Sequence, residues 1–275
     1  MNLEPLTSFE DQHHTQFIEQ GYLRLGKVLA PDELAALQQR IDDIMLGRIR
    51  YQHMRFQLDP QAANNKMARD MTHQVSTLNY RRIDDLEQDP LFLAYMQHPL
   101  FHQIARRYIG EEVSVFRSMF MNKPAELGTP LVWHQDIGVG WKIDTNPITT
   151  IWTALDPATV ASGCMQIVPG SNHLGILNER HFISEEDQAK YARDEDVIEL
   201  EAEAGEAILL HNFLMHRSGV NTTTAPRRAY SCTYMDAATR SILTGDTFPL
   251  LFGKQAMDPA TVAAKSAERI EVFHG

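Results

Sequence analysis

Trp133-His134-Gln135-Asp136 is the stretch around which the chain can be read. In an extended segment side chains alternate with period 2, so an imidazole and a carboxylate two residues apart face the same way. One small divalent metal could hold both. Because an H-x-D triplet is common by chance, its meaning depends on a third ligand further along. The chain offers one in Gly205-Glu206-Ala207-Ile208-Leu209-Leu210-His211-Asn212-Phe213-Leu214-Met215-His216-Arg217-Ser218-Gly219-Val220-Asn221, followed by Pro226-Arg227-Arg228-Ala229-Tyr230. With His216, the set becomes two histidines and one carboxylate, which leaves open positions on an octahedral ion as in non-haem Fe(II) oxygenases. His211 competes for the third place, and a separation of five residues keeps the two histidines off one strand face.

Outward from these stretches the pattern is mostly β. Thr149 to Leu155 is rich in β-branched and aromatic residues. Met165-Gln166-Ile167-Val168 is stopped by Pro169-Gly170, and Val113 to Asn122, Gly205 to Leu210 and Arg228 to Met235 add further strands. Short strands separated by turn signals predict an antiparallel barrel or sandwich, and a jelly roll suits them. Helices flank this part. A short one is expected at His14 to Gln20, before a strand at Tyr22 to Leu25. Pro31 opens a longer one, with Leu34, Leu37, Ile41 and Ile44 on one face and Gly47 just beyond its end. Another runs from Leu91 to Ile109 and breaks at Pro99.

Two segments read differently. Tyr51 to Asp85 is polar and weakly periodic, either a cover over a substrate or a surface loop. Residues 178–203 are acidic and free of glycine, with a capping signal at Ser184 and Asp187, and are expected to form a solvated helical insertion.

The bulk figures set limits. A chain of 275 residues, 43% hydrophobic, can bury one large core and is read as a single domain over 1–275, with its core at about 22–235. A net charge of −11 and a pI near 5.5 argue against broad nucleic-acid binding. Cys164 and Cys232 are the only cysteines, too few for a disulfide framework or a cysteine-rich zinc site. No apolar run has the length of a membrane span, and Met1 to Gln20 is polar and acidic, unlike a secretion signal. The expectation is a soluble cytoplasmic protein with neither a nucleic-acid nor a membrane partner.

Together Asn122-Lys123-Pro124, His134-Gln135-Asp136, Trp152-Thr153-Ala154-Leu155-Asp156, Gly163 to His173 and His216 to Asn221 through Arg227 resemble the phytanoyl-CoA dioxygenase family. The resemblance covers roughly Tyr22 to Met235. It implies a mainly β fold with flanking helices, a double-stranded β-helix of the jelly-roll, cupin-like kind, that uses Fe(II), 2-oxoglutarate and O2 on a small-molecule substrate. His134, Asp136 and His216 match the metal ligands. Arg227 matches the arginine that holds the distal carboxylate of 2-oxoglutarate, Ser218 a hydroxyl beside it, and Met119 and Trp152 residues of that pocket. A further family basic contact falls at Arg81 or Arg82. The resemblance also implies hydroxylation or a related oxidation such as desaturation or ring closure, because halogenating relatives carry a small residue where Asp136 stands.

The residues test parts of this independently. Arg227 and Arg228 are adjacent in a strand and face opposite ways, so one alone can enter the barrel, and the family spacing from His216 that the resemblance implies selects Arg227. A guanidinium presents two parallel donors that match a carboxylate. Gln135 should face away from the ligands it separates and orient them from behind. His173 sits in a Pro-Gly turn and is read as a loop residue. A catalytic zinc could use the same three ligands, but the H-E-x-x-H of zinc hydrolases is absent. A silent ligand-binding barrel and a metal-dependent isomerase or hydrolase on a cupin-like barrel are the rival readings. For the substrate, Trp141, Met54, Phe56 and Met71 would suit an apolar body, and Arg55, Arg69, Lys142 and Arg240 an anion.

Overall fold

The computed structural model describes residues 4–51, 53–61, 74–177 and 182–267. In chain order its elements are α1 (Asp11–Gln20), β1 (Tyr22–Lys27), α2 (Pro31–Met45), β2 (Arg55–Leu58), β3 (Tyr80–Asp84), α3 (Pro90–Met96), α4 (Pro99–Tyr108), β4 (Val113–Lys123), β5 (Leu131–His134), β6 (Thr149–Ala154), β7 (Met165–Ile167), α5 (Glu185–Tyr191), β8 (Ile198–Leu200), β9 (Glu206–His211), β10 (His216–Ser218), β11 (Arg227–Asp236), β12 (Leu250–Phe252) and α6 (Pro259–Ala267). They build two antiparallel sheets. The larger runs β1-β9-β6-β11-β4-β3-β2, with β12 also on β4, and the smaller runs β5-β10-β7-β8.

Period-2 alternation gives the large sheet two buried faces. Ile151, Ala207, Leu209, Phe120, Tyr230 and Cys232 point to the helices, where Leu37, Ile41 and Ile44 of α2 and Phe92 and Leu93 of α3 meet them. Their neighbours Trp152, Ile208, Leu210 and Ala229 point the other way, onto Met165, Ile167 and Leu200 of the small sheet. The molecule is therefore a helix layer on a jelly roll, with a cavity between the two sheets.

Helix α2 begins where its sequence signals place it. Pro31 occupies the first turn, and the Glu33 carboxylate accepts a hydrogen bond from Ala30 N at 2.8 Å. Pro99 separates α3 from α4. Ser184 caps α5 by accepting from Asp187 N at 3.1 Å.

Three expectations change. The segment 178–203 is not wholly a helical insertion. Within it α5 is followed by β8, whose Ile198 and Leu200 pack inward while Glu199 points out, and β8 pairs with β7. That alternation is only three residues long and is masked by surrounding charge; residues 178–181 lie outside the described residues. The Tyr51 to Asp85 segment contributes β2 and β3, two further strands of the large sheet, and so walls the cavity; residues 52 and 62–73 lie outside the described residues. Met54 and Phe56, considered for substrate contact, are in the helix-side core instead.

Arg228 joins the layers. Its Nε and Nη2 donate to the Asp156 carboxylate at 2.8 Å each, and Nη1 donates to Asp42 of α2 at 2.6 Å. Removing one partner of a largely buried pair strands the other's charge. Arg228→Ala is expected to cost about 3 kcal/mol in urea unfolding; a loss below about 1 kcal/mol would mean that the bridge behaves as a solvated surface pair.

Candidate active site

β5 ends on His134, and the β5–β10 pairing sets His216 directly opposite it, with ring centroids 4.1 Å apart. Each Nδ1 faces a backbone carbonyl, Val132 O at 2.8 Å for His134 and Leu214 O at 3.0 Å for His216. A carbonyl only accepts, so each Nδ1 carries a proton and Nε2 is the ring nitrogen turned to Asp136. Asp136 follows in a turn pinned by Asn212, whose carbonyl accepts from Asp136 N at 2.9 Å and whose amide donates to Asp136 O at 3.0 Å. The Asp136 carboxylate lies 4.0 Å from His134 Nε2 and 3.6 Å from His216 Nε2. One ligand atom from each of the three residues lies within 4.8 Å of the others, and among the described residues this is the cluster able to hold a metal ion. Burial works to raise the Asp136 pKa, but His216 and His134 when protonated, backed by Arg117 and Arg82, hold it below the ordinary carboxylate value.

Gln135 turns away from the cluster. Its amide donates to Gly175 O and Phe213 O and accepts from Leu177 N, each at 2.8 Å, so it fixes the loops behind the ligands. His211 is not part of the cluster. It packs on Phe17, accepts from Phe213 N, and burial together with the nearby His173 pushes its pKa down to about 4.

The cavity over the cluster encloses about 200 Å³. Met119, Trp152, Ser218 and Arg227 all line it. The Arg227 guanidinium lies 6.0 Å from the Trp152 ring centre, and its Nη2 donates to Gly163 O at 2.6 Å. Its Nε is buried and has no partner among the described residues, an unsatisfied donor of the kind that an anion completes. Gly163 has φ +74°, and a Cβ there would meet Val220 O at 2.6 Å, so only glycine presents this carbonyl to Arg227. Lys123 stands opposite Arg227 on the paired strand and donates from Nζ to Thr129 O at 3.0 Å. Burial, then Arg227 and Arg81, push its pKa down to about 7.

Arg81 and Arg82 also line the cavity, Arg82 donating from Nε to Asp84 at 2.7 Å. Sequence reasoning missed Arg117, Lys123, Asp59 and Asn212. Arg117 and Lys123 are revealed by their place on the β4–β11 ladder, Asn212 by its bonds to the Asp136 turn, and Asp59 by its place just after β2, where it accepts from Thr129 N. Of the residues considered for substrate, Trp141 lines the cavity, whereas Lys142 and Arg240 are exposed outside it and Arg55 pairs with Asp85. His173 is exposed in its turn. Arg69 and Met71 lie outside the described residues.

Residues 17–229 match the family model for phytanoyl-CoA dioxygenase (PhyH). The chain belongs to this family. A probable phytanoyl-CoA dioxygenase of Caenorhabditis elegans is 28% identical over 231 residues, 78% of this chain and 71% of the relative. The peroxisomal phytanoyl-CoA dioxygenase of Rattus norvegicus is 25% identical over 229 residues, 78% of this chain and 65% of the relative. Among solved structures, EctD from S. alaskensis with 2-oxoglutarate and 5-hydroxyectoine superposes with a TM-score of 0.64 at 19% identity, covering 94% of this chain and 89% of EctD. The epimerase SnoN, solved with Fe3+, alpha ketoglutarate and nogalamycin RO, gives 0.65 at 19% identity over 90% of this chain and 93% of SnoN. These likenesses establish the double-stranded β-helix expected from the PhyH resemblance. No helix among the described residues is long and apolar enough to cross a membrane.

The cationic end of the cavity has a pH signature. Lys123 loses its proton near pH 7 in the folded protein and near its ordinary 10.5 when unfolded. In that window the unfolded chain binds more protons, so this group makes stability rise with pH. Between pH 7 and pH 9 the ligand-free protein should gain stability relative to Lys123→Met; parallel pH profiles for the two proteins would refute the buried-lysine assignment.

Proposed function

We propose that this chain is an Fe(II)- and 2-oxoglutarate-dependent dioxygenase that oxidises an unactivated C–H bond of a small molecule. The observation carrying this reading is the convergence of His134, Asp136 and His216 at one end of a cavity that also contains a buried guanidinium with an unsatisfied donor. A hydrolase would have no use for that second feature. The donor set suits the group, since two imidazole Nε2 atoms and a carboxylate form the facial triad of non-haem iron.

In this reading His134, Asp136 and His216 hold the iron, with Asn212 and Gln135 fixing their backbone. Arg227 binds the distal carboxylate of 2-oxoglutarate through a charge-assisted bond, helped by Ser218. Trp152 and Met119 form the wall that keeps this contact dry and therefore strong. Bound iron, 2-oxoglutarate and O2 would supply the oxidation, releasing succinate and CO2; the protein supplies placement and exclusion of water. Asp136 fills its coordination place with a carboxylate, which favours oxygen transfer over halide chemistry. Hydroxylation is the proposed outcome.

Anaerobic Fe(II) and 2-oxoglutarate should give a weak visible charge-transfer band, and a fully metallated protein without one would end this reading. Arg227→Gln is expected to raise the 2-oxoglutarate concentration giving half that band by roughly tenfold or more, the scale of one charge-assisted bond. Arg228→Gln should not do so, since its partners are Asp156 and Asp42. Asp136→Ala should abolish succinate formation coupled to substrate.

A further inference from the structure

The cavity contains more positive charge than iron and 2-oxoglutarate would use. Five arginines and Lys123, whose pKa is pushed down to about 7, line it against two carboxylates, in a chain of net charge −11. A dication and a dianion cancel, so loading the site with both leaves the excess in place. Buried charge without a counter-charge is costly, and clefts lined by one sign of charge concentrate ligands of the other.

Most of these cations have a partner. Arg227 and Lys123 occupy the 2-oxoglutarate end, Arg82 is bonded to Asp84, and Arg217 lies over Trp133 and donates to Gln166. Arg81 has no hydrogen bond or ion pair among the described residues, but it belongs to the Lys123 end, where the charge of Asp59 acts on it and its own charge acts on Lys123. Arg117 is the remaining one. No described residue gives its guanidinium a hydrogen bond or an ion pair; its Cζ lies over Trp141, 4.0 Å from the ring centre and 5.1 Å from that of Phe116, two rings that stack on each other at 4.9 Å. Stacking engages the faces of a guanidinium and leaves its edge donors for a planar anion.

The backbone puts Arg117 there. On the β4–β11 ladder Thr233 pairs with Arg117 but Tyr234 pairs with Val115, so Phe116 is an extra residue, a β-bulge. Before it, Val113 and Val115 face the helix-side core; beyond it, Arg117, Met119 and Lys123 face the cavity. Arg117 lines the cavity with Asp136 and Trp141, and it lies six positions along β4 from Lys123, the residue paired with Arg227 at the 2-oxoglutarate end.

Building on the iron and 2-oxoglutarate reading, we propose that the substrate is an organic anion. Arg117 binds its carboxylate or phosphate group, and its apolar body lies along Trp141 and Phe182 over the metal cluster. A merely structural Arg117, holding the Trp141 turn by stacking alone, would not discriminate between a charged ligand and its neutral counterpart.

The test uses the full chain with Fe(II) and saturating 2-oxoglutarate under anaerobic conditions, so that the Arg227 end is occupied. Four probes are titrated: 3-phenylpropanoate and its amide, and 3-phenylpropyl phosphate and its alcohol. Binding is read from the charge-transfer band and from tryptophan fluorescence. At least one anion should bind tenfold or more tighter than its neutral counterpart, roughly the worth of a hydrogen bond to a charged group. That preference should fall below about threefold in Arg117→Gln and be partly kept in Arg117→Lys. Whichever anion binds tighter identifies the carboxylate or the phosphate class. If the wild-type band never forms, the iron and 2-oxoglutarate reading is what fails. If the band forms but acid and amide, and ester and alcohol, bind alike, the anion assignment is overturned and that reading stands. The anion assignment is equally overturned if the preference survives in Arg117→Gln, or if neither anion binds below about 10 mM. The wild-type comparison needs no variant to fold.

Discussion

The pairing of β5 with β10 is the constraint on which the site depends. It brings together two histidines 82 positions apart in sequence as direct cross-strand neighbours. Backbone carbonyls then hold both Nδ1 atoms, so the two Nε2 atoms turn to the Asp136 carboxylate. Asp136 is placed differently. It lies beyond the end of β5, where no ladder holds it, and depends on the reciprocal bonds with Asn212. Asn212 is anchored in turn by Thr150 through its side-chain carbonyl, and Thr150 bonds Thr233. The carboxylate is thus held by a buried polar chain that reaches across the large sheet. Such networks give a defined geometry when every member is satisfied.

Adjacent arginines show how one step along a strand separates structure from chemistry. Arg228 faces the helix layer and is neutralised by Asp156 and Asp42, so its charge holds the layers together. Arg227 faces the cavity, donates to a neutral carbonyl and stays unneutralised. Burial pushes its pKa down to about 10, which still leaves it charged near neutral pH. Alternation alone produces this division of labour.

The large sheet repeats the device along β4, where a single bulge shifts the alternation so that a strand beginning as helix-side core ends as cavity wall. The cost of lining a cavity with cations is partly met by Asp59 in its wall and Asp84 behind it, which act on Lys123, Arg81 and Arg82. The interior of this acidic chain is therefore electropositive.

Much of this was legible in the chain itself. The H-x-D triplet, the late histidine and the Arg-Arg pair carry their chemistry in residue type and spacing, and α2 carries its own start signals and apolar stripe, because these features are local and periodic. β2, β3 and β8 were not legible, since each is short, half polar and specified by the neighbour it pairs with. The family pattern chose His216 over His211, and the fold supplies the physical reason, because His216 has His134 as its strand partner whereas His211 packs on Phe17. Arg117 needed the fold most. Its face is set by a bulge, and a bulge is visible only in the register of two strands, a relation between distant segments that no single stretch of sequence contains.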